Sequence, residues 1–315
     1  MDFFTTLLRS MPGAAGQGLI WGIMAIGVYI TYRILDVADL TVDGSLATGG
    51  AVCVLLTVNG CNIWVALLAA ILAGMLAGMI TGLLHALCGI PAILSGILTQ
   101  LALYSINLRI MGWGTDAGTK ASLAVSVNDY PLLVSQRYIR ELTLDNPLFL
   151  LVLFIIAVIA VLYWFFGTEL GCALRATGSN PNMARAQGIN TSFTTVLGLM
   201  LSNGLVALSG ALLAQYQGSS TIDMGRGAIV IGLAAVIIGE VVFSKLFRNF
   251  ALKLLACAIG AIIYYVVIQF VLRLGLDTND LKLLTAMVVA LFLALPYWKG
   301  KFFAKPVKKE GSRHA

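Results

Sequence analysis

Apolar residues run along this chain in blocks of 17 to 25, separated by short polar breaks. The pattern shows neither the two-residue alternation of half-buried strands nor the narrow apolar stripe of a soluble amphipathic helix. The longest uninterrupted stretch is Gly44 to Leu108, 65 residues without one Asp, Glu, Lys or Arg. At roughly 20 residues per helical crossing it holds about three spans. Strands with open edges would leave backbone groups unpaired in lipid, so the blocks are read as helices. The pattern predicts an all-α, polytopic membrane helix bundle filling one domain, 1–315, with about nine transmembrane helices. The expected spans are 17–35, 44–60, 62–86, 91–109, 147–166, 193–216, 226–243, 250–273 and 280–297.

Charge orients the bundle. The loop over 167–192 carries Arg175 and Arg185 against Glu169, and the loop over 244–253 carries Lys245, Arg248 and Lys253. Six of the twenty basic residues fall in the tail, 298–315. By the positive-inside rule these three segments face the cytoplasm. The 110–146 loop, with three basic and four acidic residues, then lies outside, together with the N-terminus. No cleavage site precedes the first span, so a signal peptide is not expected. The net charge of +6 is accounted for by this anchoring, and no nucleic-acid partner is expected.

Composition adds little chemistry. Residues are 59% hydrophobic and 11% charged, against about 25% charged in soluble domains. The five cysteines lack C-x-x-C spacing, and the two histidines, His85 and His314, cannot assemble a metal centre. Neither a phosphate-binding loop nor H-E-x-x-H is present, so no catalytic site, metal or cofactor is expected. Gly74, Gly78 and Gly82 form one small stripe, read as a close helix–helix contact. Glu240 is the one acid in a late apolar run and is expected in an interfacial ion pair near Lys245 and Arg248.

Two similar strings, Thr41-Val42-Asp43-Gly44 and Thr221-Ile222-Asp223-Met224-Gly225, open the second and seventh expected spans from opposite sides. They are consistent with an inverted repeat and broken helices, whose ends lie beside the pathway of many transporters. The alternative is a pair of ordinary N-caps at the membrane surface. Asp43 and Asp223, with Gln100, Asn107 and Asn203 inside spans, form the set of candidate pathway residues. Gln215 and Gln269 are similar in kind.

The polar island Arg175 to Ile189 reads as a short, well-capped helix. Ser179 or Asn180 can cap it, Pro181 suits its first position, and Gly188 suits a left-handed exit. The string Gly171-x3-Arg175-Ala176-Thr177-Gly178-x2-Pro181-x2-Ala184-Arg185-x2-Gly188-Ile189 resembles the cytoplasmic coupling segment of permeases in the branched-chain amino acid and ribose type of ABC importer. Ile34-Leu35-Asp36-x2-Asp39-Leu40-Thr41-Val42-Asp43-Gly44-Ser45 is similar to their broken second helix, and Gly232 to Gly239 to a late glycine-containing span. Many relatives carry a second glycine where Glu240 stands, so its role is not carried over.

The resemblance implies a non-catalytic permease subunit in a bacterial plasma membrane, multi-pass, with the N-terminus outside and the C-terminus cytoplasmic. It implies two ATP-binding cassette ATPase subunits docked through Arg175, Ala176, Thr177, Gly178, Pro181, Ala184, Arg185 and Gly188. It also implies a second permease copy, most simply a homodimer in membrane lipid, and an extracellular or lipoprotein solute-binding protein. The closest resemblance is to a subgroup associated with aromatic amino acid uptake, so an aromatic or branched-chain amino acid is the expected solute. Two alternatives stay open: a sugar or nucleoside importer of the same superfamily, and a secondary carrier that works alone.

Overall fold

The computed structural model describes residues 3–115, 118–126, 128–136, 146–243 and 249–273, with single positions between 283 and 294. Helix α1 (Phe3–Tyr29) continues through a π turn at Ile30–Ile34, and α2 (Val42–Val58), α3 (Ile63–Ala86) and α4 (Ala92–Met111) follow. Strand β1 (Ser122–Ala124) precedes α5 (Pro147–Gly167), and two short helices come next, α6 (Glu169–Ser179) and α7 (Pro181–Ala186). Then come α8 (Thr191–Gln217), β2 (Ser219–Thr221), α9 (Ala228–Phe243) and α10 (Phe250–Arg273).

Six of these helices are long and apolar enough to cross a membrane: α1 with its π turn, α3, α4, α5, α8 and α10. Helices α2 and α9 are apolar but have only 17 and 16 residues. At 1.5 Å per residue each spans about 25 Å, less than the ~30 Å hydrocarbon core. Over their described residues these two expected crossings do not reach that length, so nine crossings are not counted among the described residues. The ninth expected span and the basic tail lie outside the described residues, save for isolated positions. One of those, Val289, is buried against Ala234, Ile238, Tyr264 and Ile268 of α9 and α10. Helix α1 begins at Phe3, well before the apolar block at 17, because hydropathy marks where lipid begins and not where backbone hydrogen bonding begins.

Helix starts are set by asparagine side chains. Asn62 accepts from the Trp64 N–H, Asn146 from Leu148, and Asn190 from Phe193, at 3.0, 2.9 and 3.1 Å. Each occupies a backbone donor that has no partner within the first turn. Inside the bundle, α1 and α8 are the most enclosed spans, whereas α5, with the highest hydropathy, turns most of its surface outward. Lipid tails are as apolar as leucine, so burial of greasy surface does little to join helices here and close fit takes over. The glycine stripe of α3 provides it. Side chains added at Gly74 and Gly78 would overlap backbone atoms of Asn203 and Leu199, and one at Gly82 would press on Val196, all on α8.

The antiparallel pair β1–β2 closes one end of the bundle. Gln215 near the end of α8 accepts from the Leu133 N–H at 3.2 Å and fastens the following loop there. Helices α6 and α7 lie at the opposite end. All five cysteines are free thiols, with Cys53 and Cys257 buried.

Candidate functional site

Between Ile34 and Val42 the chain leaves helix, turns and re-enters the bundle. Asp36 takes a left-handed conformation (φ 55°), one that Asp tolerates better than most residues. Leu40 then passes over Gly96 of α4, where a side chain would touch the Leu40 backbone. Helix α2 begins beside Gln100 and Leu103, half-way along α4, and runs to the β1–β2 end. After β2 the chain descends again. Met224 and Ser220 pack on Gly50, and Gly225 packs so closely on the Asp43 carbonyl that any side chain would overlap it. Helix α9 starts there and runs the other way, towards α6. The two Thr-Asp strings noted in the sequence thus meet, with Gly225 buried against Asp43 while Asp223 and Arg226 stay exposed beside the contact.

Asp43 makes the junction. Its carboxylate accepts from the Gly227 and Ile229 N–H groups at 2.9 and 3.0 Å. Asp43 itself sits within the first turn of α2, and the broken helix whose start it caps is α9. Asp223 caps nothing in the described contacts and pairs with Arg226 at 2.8 Å. Two helix N-termini, each the positive end of a helix dipole, converge on this point, and Asp43 already occupies two N–H groups of α9.

A cavity of about 210 Å³ opens beside it, lined by Asp43, Gln100, Tyr104, Asn107, Ile222 and Arg226 among others. Three of the five predicted pathway residues, Asp43, Gln100 and Asn107, therefore share one space, and Asp223 stands at its edge through Arg226. The Asn107 side-chain oxygen is buried without a hydrogen-bond partner among the described residues. Such an acceptor is costly unless something donates to it.

Asn203 does not join them. It lies fully buried on α8, where its amide donates to Asp39 Oδ2 at 2.6 Å and to the Leu199 carbonyl at 3.0 Å. Its oxygen accepts from Ser45 at 2.6 Å. Asp39 also accepts from the Thr41 N–H at 2.9 Å and is only 2% exposed. The Thr41 hydroxyl meets Thr81 at 2.7 Å, and Thr81 donates to Thr99 at 2.9 Å. This knot ties the break between α1 and α2 to α3, α4 and α8. It was not recognised from the sequence, where Glu240 drew attention as the intramembrane acid. The signal was slight: 35–41 carries two carboxylates, and of these Asp36 stays exposed while Asp39 turns inward to buried donors.

Glu240 is ion-paired, as expected, but with Arg33 of the π turn at 3.1 Å. Lys245 and Arg248, the partners expected from the sequence, lie outside the described residues.

At the opposite end from the strands, α6 and α7 form the capped turn predicted for 175–189. Asn180, not Ser179, is the cap, accepting from Asn182 and Met183 at 3.1 and 3.0 Å. Pro181 takes the first position and Gly188 exits at φ 82°. Ala184 is buried and Met183 is 63% exposed, so α7 is anchored by one small residue and presents a methionine outward. Thr177 bonds Thr194 of α8 at 2.8 Å. Gly178 lies directly on the Ile34 carbonyl, a contact that any side chain would overlap, and Ala176 is half-buried beside it.

The two arginines expected to reach a partner behave differently. Arg185 donates from Nε to Thr191 at 2.7 Å and is otherwise exposed. Arg175 turns back on its own chain: it donates to the Phe166 carbonyl, and its guanidinium lies 5.6 Å from the Phe166 ring centre and 5.2 Å from that of Phe250.

Residues 10–295 match the family model described as branched-chain amino acid transport system, permease component. A tyrosine transport system permease protein of Clostridioides difficile (strain R20291) is 42% identical over 278 residues, 88% of each chain. The fructose import permease protein FruF of Bifidobacterium longum (strain NCC 2705) is 25% identical over 256 residues, 80% of this chain and 67% of its own. Among solved structures, PsaBC from Streptococcus pneumoniae in complex with Fab aligns with a TM-score of 0.54. That alignment is at 16% identity and covers 95% of this chain and 99% of the other, so it shows a shared fold alone.

Proposed function

The chain belongs to the permease family of branched-chain amino acid transport systems, and from that premise we propose that it forms the solute pathway of an ATP-driven amino acid importer, with an aromatic amino acid as solute. The observation that carries the reading is the tyrosine transport permease, 42% identical along 88% of both chains. The junction of α2 and α9 supports it. Half-helix N-termini inside a membrane favour an anionic group such as a carboxylate, and Asp43 supplies the opposite charge for an ammonium. Gln100, Asn107 and the Tyr104 ring offer polar and aromatic contacts in the same cavity.

The α6–α7 end faces the cytoplasm in this reading, and α7 seats in an ATPase subunit with Met183 as its outermost apolar contact. A second copy of the permease and an external solute-binding protein complete the importer. ATP-driven closure of the ATPase pair moves α6 and α7 as a rigid lug. Gly178 passes that motion to Ile34, and the 35–41 segment carries it through Asp39 and Thr41 to Asp43. No covalent chemistry falls to this subunit.

The test is reconstitution of the chain with its ATPase and binding protein in liposomes, followed by uptake of labelled tyrosine, leucine and fructose. ATP-dependent accumulation of tyrosine is expected. Accumulation by the chain alone under an ion gradient would make it a secondary carrier. Preference for fructose would favour the sugar reading, which the FruF relative supports.

A further inference from the structure

The inward turn of Arg175 leaves a cationic hollow outside the proposed solute pathway. It measures about 510 Å³ and is lined by Tyr29, Arg33, Arg175, Ser179, Phe250 and Lys253 among others. Its three cations come from three separate elements: the π turn, α6 and α10. Glu240 neutralises Arg33 at 3.1 Å, whereas neither Arg175 nor Lys253 pairs with a carboxylate among the described residues. Arg175 is held ready. Stacking against two aromatic rings and a bond to the Phe166 carbonyl fix the plane of its guanidinium, so its remaining donors lose little freedom on meeting an anion.

The depth of the hollow points to the occupant. Phe166 is the penultimate residue of α5 and Phe250 the first of α10, so the site lies at helix ends on the bundle's rim. Trp164, two residues before Phe166, is 71% exposed, the position of a tryptophan anchored at a membrane–water boundary. An anion at this level comes from the bilayer itself. We propose that the hollow between the π turn, α6 and α10 binds the phosphate headgroup of an anionic phospholipid, with Arg175 and Lys253 as the recognising cations. A basic pocket between spans is a setting in which such headgroups are held.

Binding has a consequence for the segment that carries α7. The hollow is floored by Ser179 and flanked by Gly178, so a headgroup seated there braces α6 against α10 and the π turn.

The experiment is native mass spectrometry of the full purified chain, exchanged into micelles doped with phosphatidylglycerol, phosphatidylcholine or inorganic phosphate. Retention of one phosphatidylglycerol, with little phosphatidylcholine, is expected. Lys253→Gln, an exposed position whose loss leaves the packing intact, is expected to weaken that retention about five-fold, the share of one surface lysine. Arg175→Gln is expected to weaken it further, and Arg109→Gln, at the other end of the bundle, to leave it unchanged. Equal retention by the wild type and Lys253→Gln would make the lipid merely annular and overturn the assignment. Binding of inorganic phosphate as tightly as the lipid would reassign the hollow to a free anion. Unchanged lipid retention with loss of ATPase co-purification in Lys253→Gln would give it to a protein carboxylate. None of these readouts depends on the transported solute.

Discussion

Asn203 shows what one buried amide can hold in a membrane. Its three hydrogen bonds reach Asp39, Ser45 and the Leu199 carbonyl, and all of the atoms involved are shielded from water. Replacing it with leucine takes from the buried Asp39 carboxylate one of its two described donors, a change that costs about 3 kcal/mol. We expect Asn203→Leu to lower the midpoint of thermal unfolding in detergent strongly, and Ser45→Ala to lower it modestly. The double variant Asp39→Leu with Asn203→Leu is expected to be no worse than Asn203→Leu alone, because it removes the under-satisfied carboxylate. A double variant that melts well below both singles would show that packing, not charge satisfaction, governs this site. The hydroxyl ladder Thr41–Thr81–Thr99 belongs to the same scale: each side chain is ordinary, and only their meeting is informative.

Among the elements, the α3–α8 contact decides how close the bundle can pack. The Gly74, Gly78 and Gly82 stripe was legible as a close-packing face, and Gly198, Gly204 and Gly210 of α8 meet Leu35, Met75 and Leu46 in turn. A side chain at Gly78 would run into the Leu199 carbonyl first and the Asn203 Cβ next, and backbone there cannot yield. Gly78→Val should therefore force the helices apart at a cost of several kcal/mol, beyond the ~1–3 kcal/mol of ordinary overpacking. Gly167→Ala, where no atom lies within 4 Å, should be silent. Comparing the yield of monodisperse protein for the two variants checks this. Equal yields would mean that α3 and α8 slide to accommodate the added bulk. Helix existence was readable for every described span because each apolar block is long. The broken starts of α2 and α9 were only hinted at by two short strings, since length alone cannot say where along the bundle a helix begins.

At the scale of the whole molecule, Gly178 connects the end that carries α7 to the interior junction. It is the narrowest point of the proposed linkage, with α6 resting on the Ile34 carbonyl. Gly178→Val should keep membrane insertion and the partner's ATP hydrolysis while cutting uptake per ATP at least about ten-fold, within the range of measured coupling energies. Parallel assays of hydrolysis and accumulation in proteoliposomes would show it, and intact coupling in that variant would remove Gly178 from the path. Arg185→Glu should act differently. It keeps the Gly178 contact but reverses the exposed charge on α7, so loss of ATPase co-purification is the expected result, read by pull-down.

Block lengths and charge placement alone were enough to establish a polytopic helical membrane protein, the sites of its described spans and the capped turn over 175–189. These are local properties: a run of apolar residues must bury itself in lipid, and an Asn-Pro pair must cap whatever follows. What only the tertiary structure decided is which polar residues meet. Asp43 could have capped α2, Asn203 could have faced the cavity, and Arg175 could have reached outward. The sequence is silent there because a polar side chain in lipid takes whichever partner the packing of distant helices brings within about 3 Å. Gly225 on Asp43 and Gly178 on Ile34, with no room for one more carbon, are where that packing was settled.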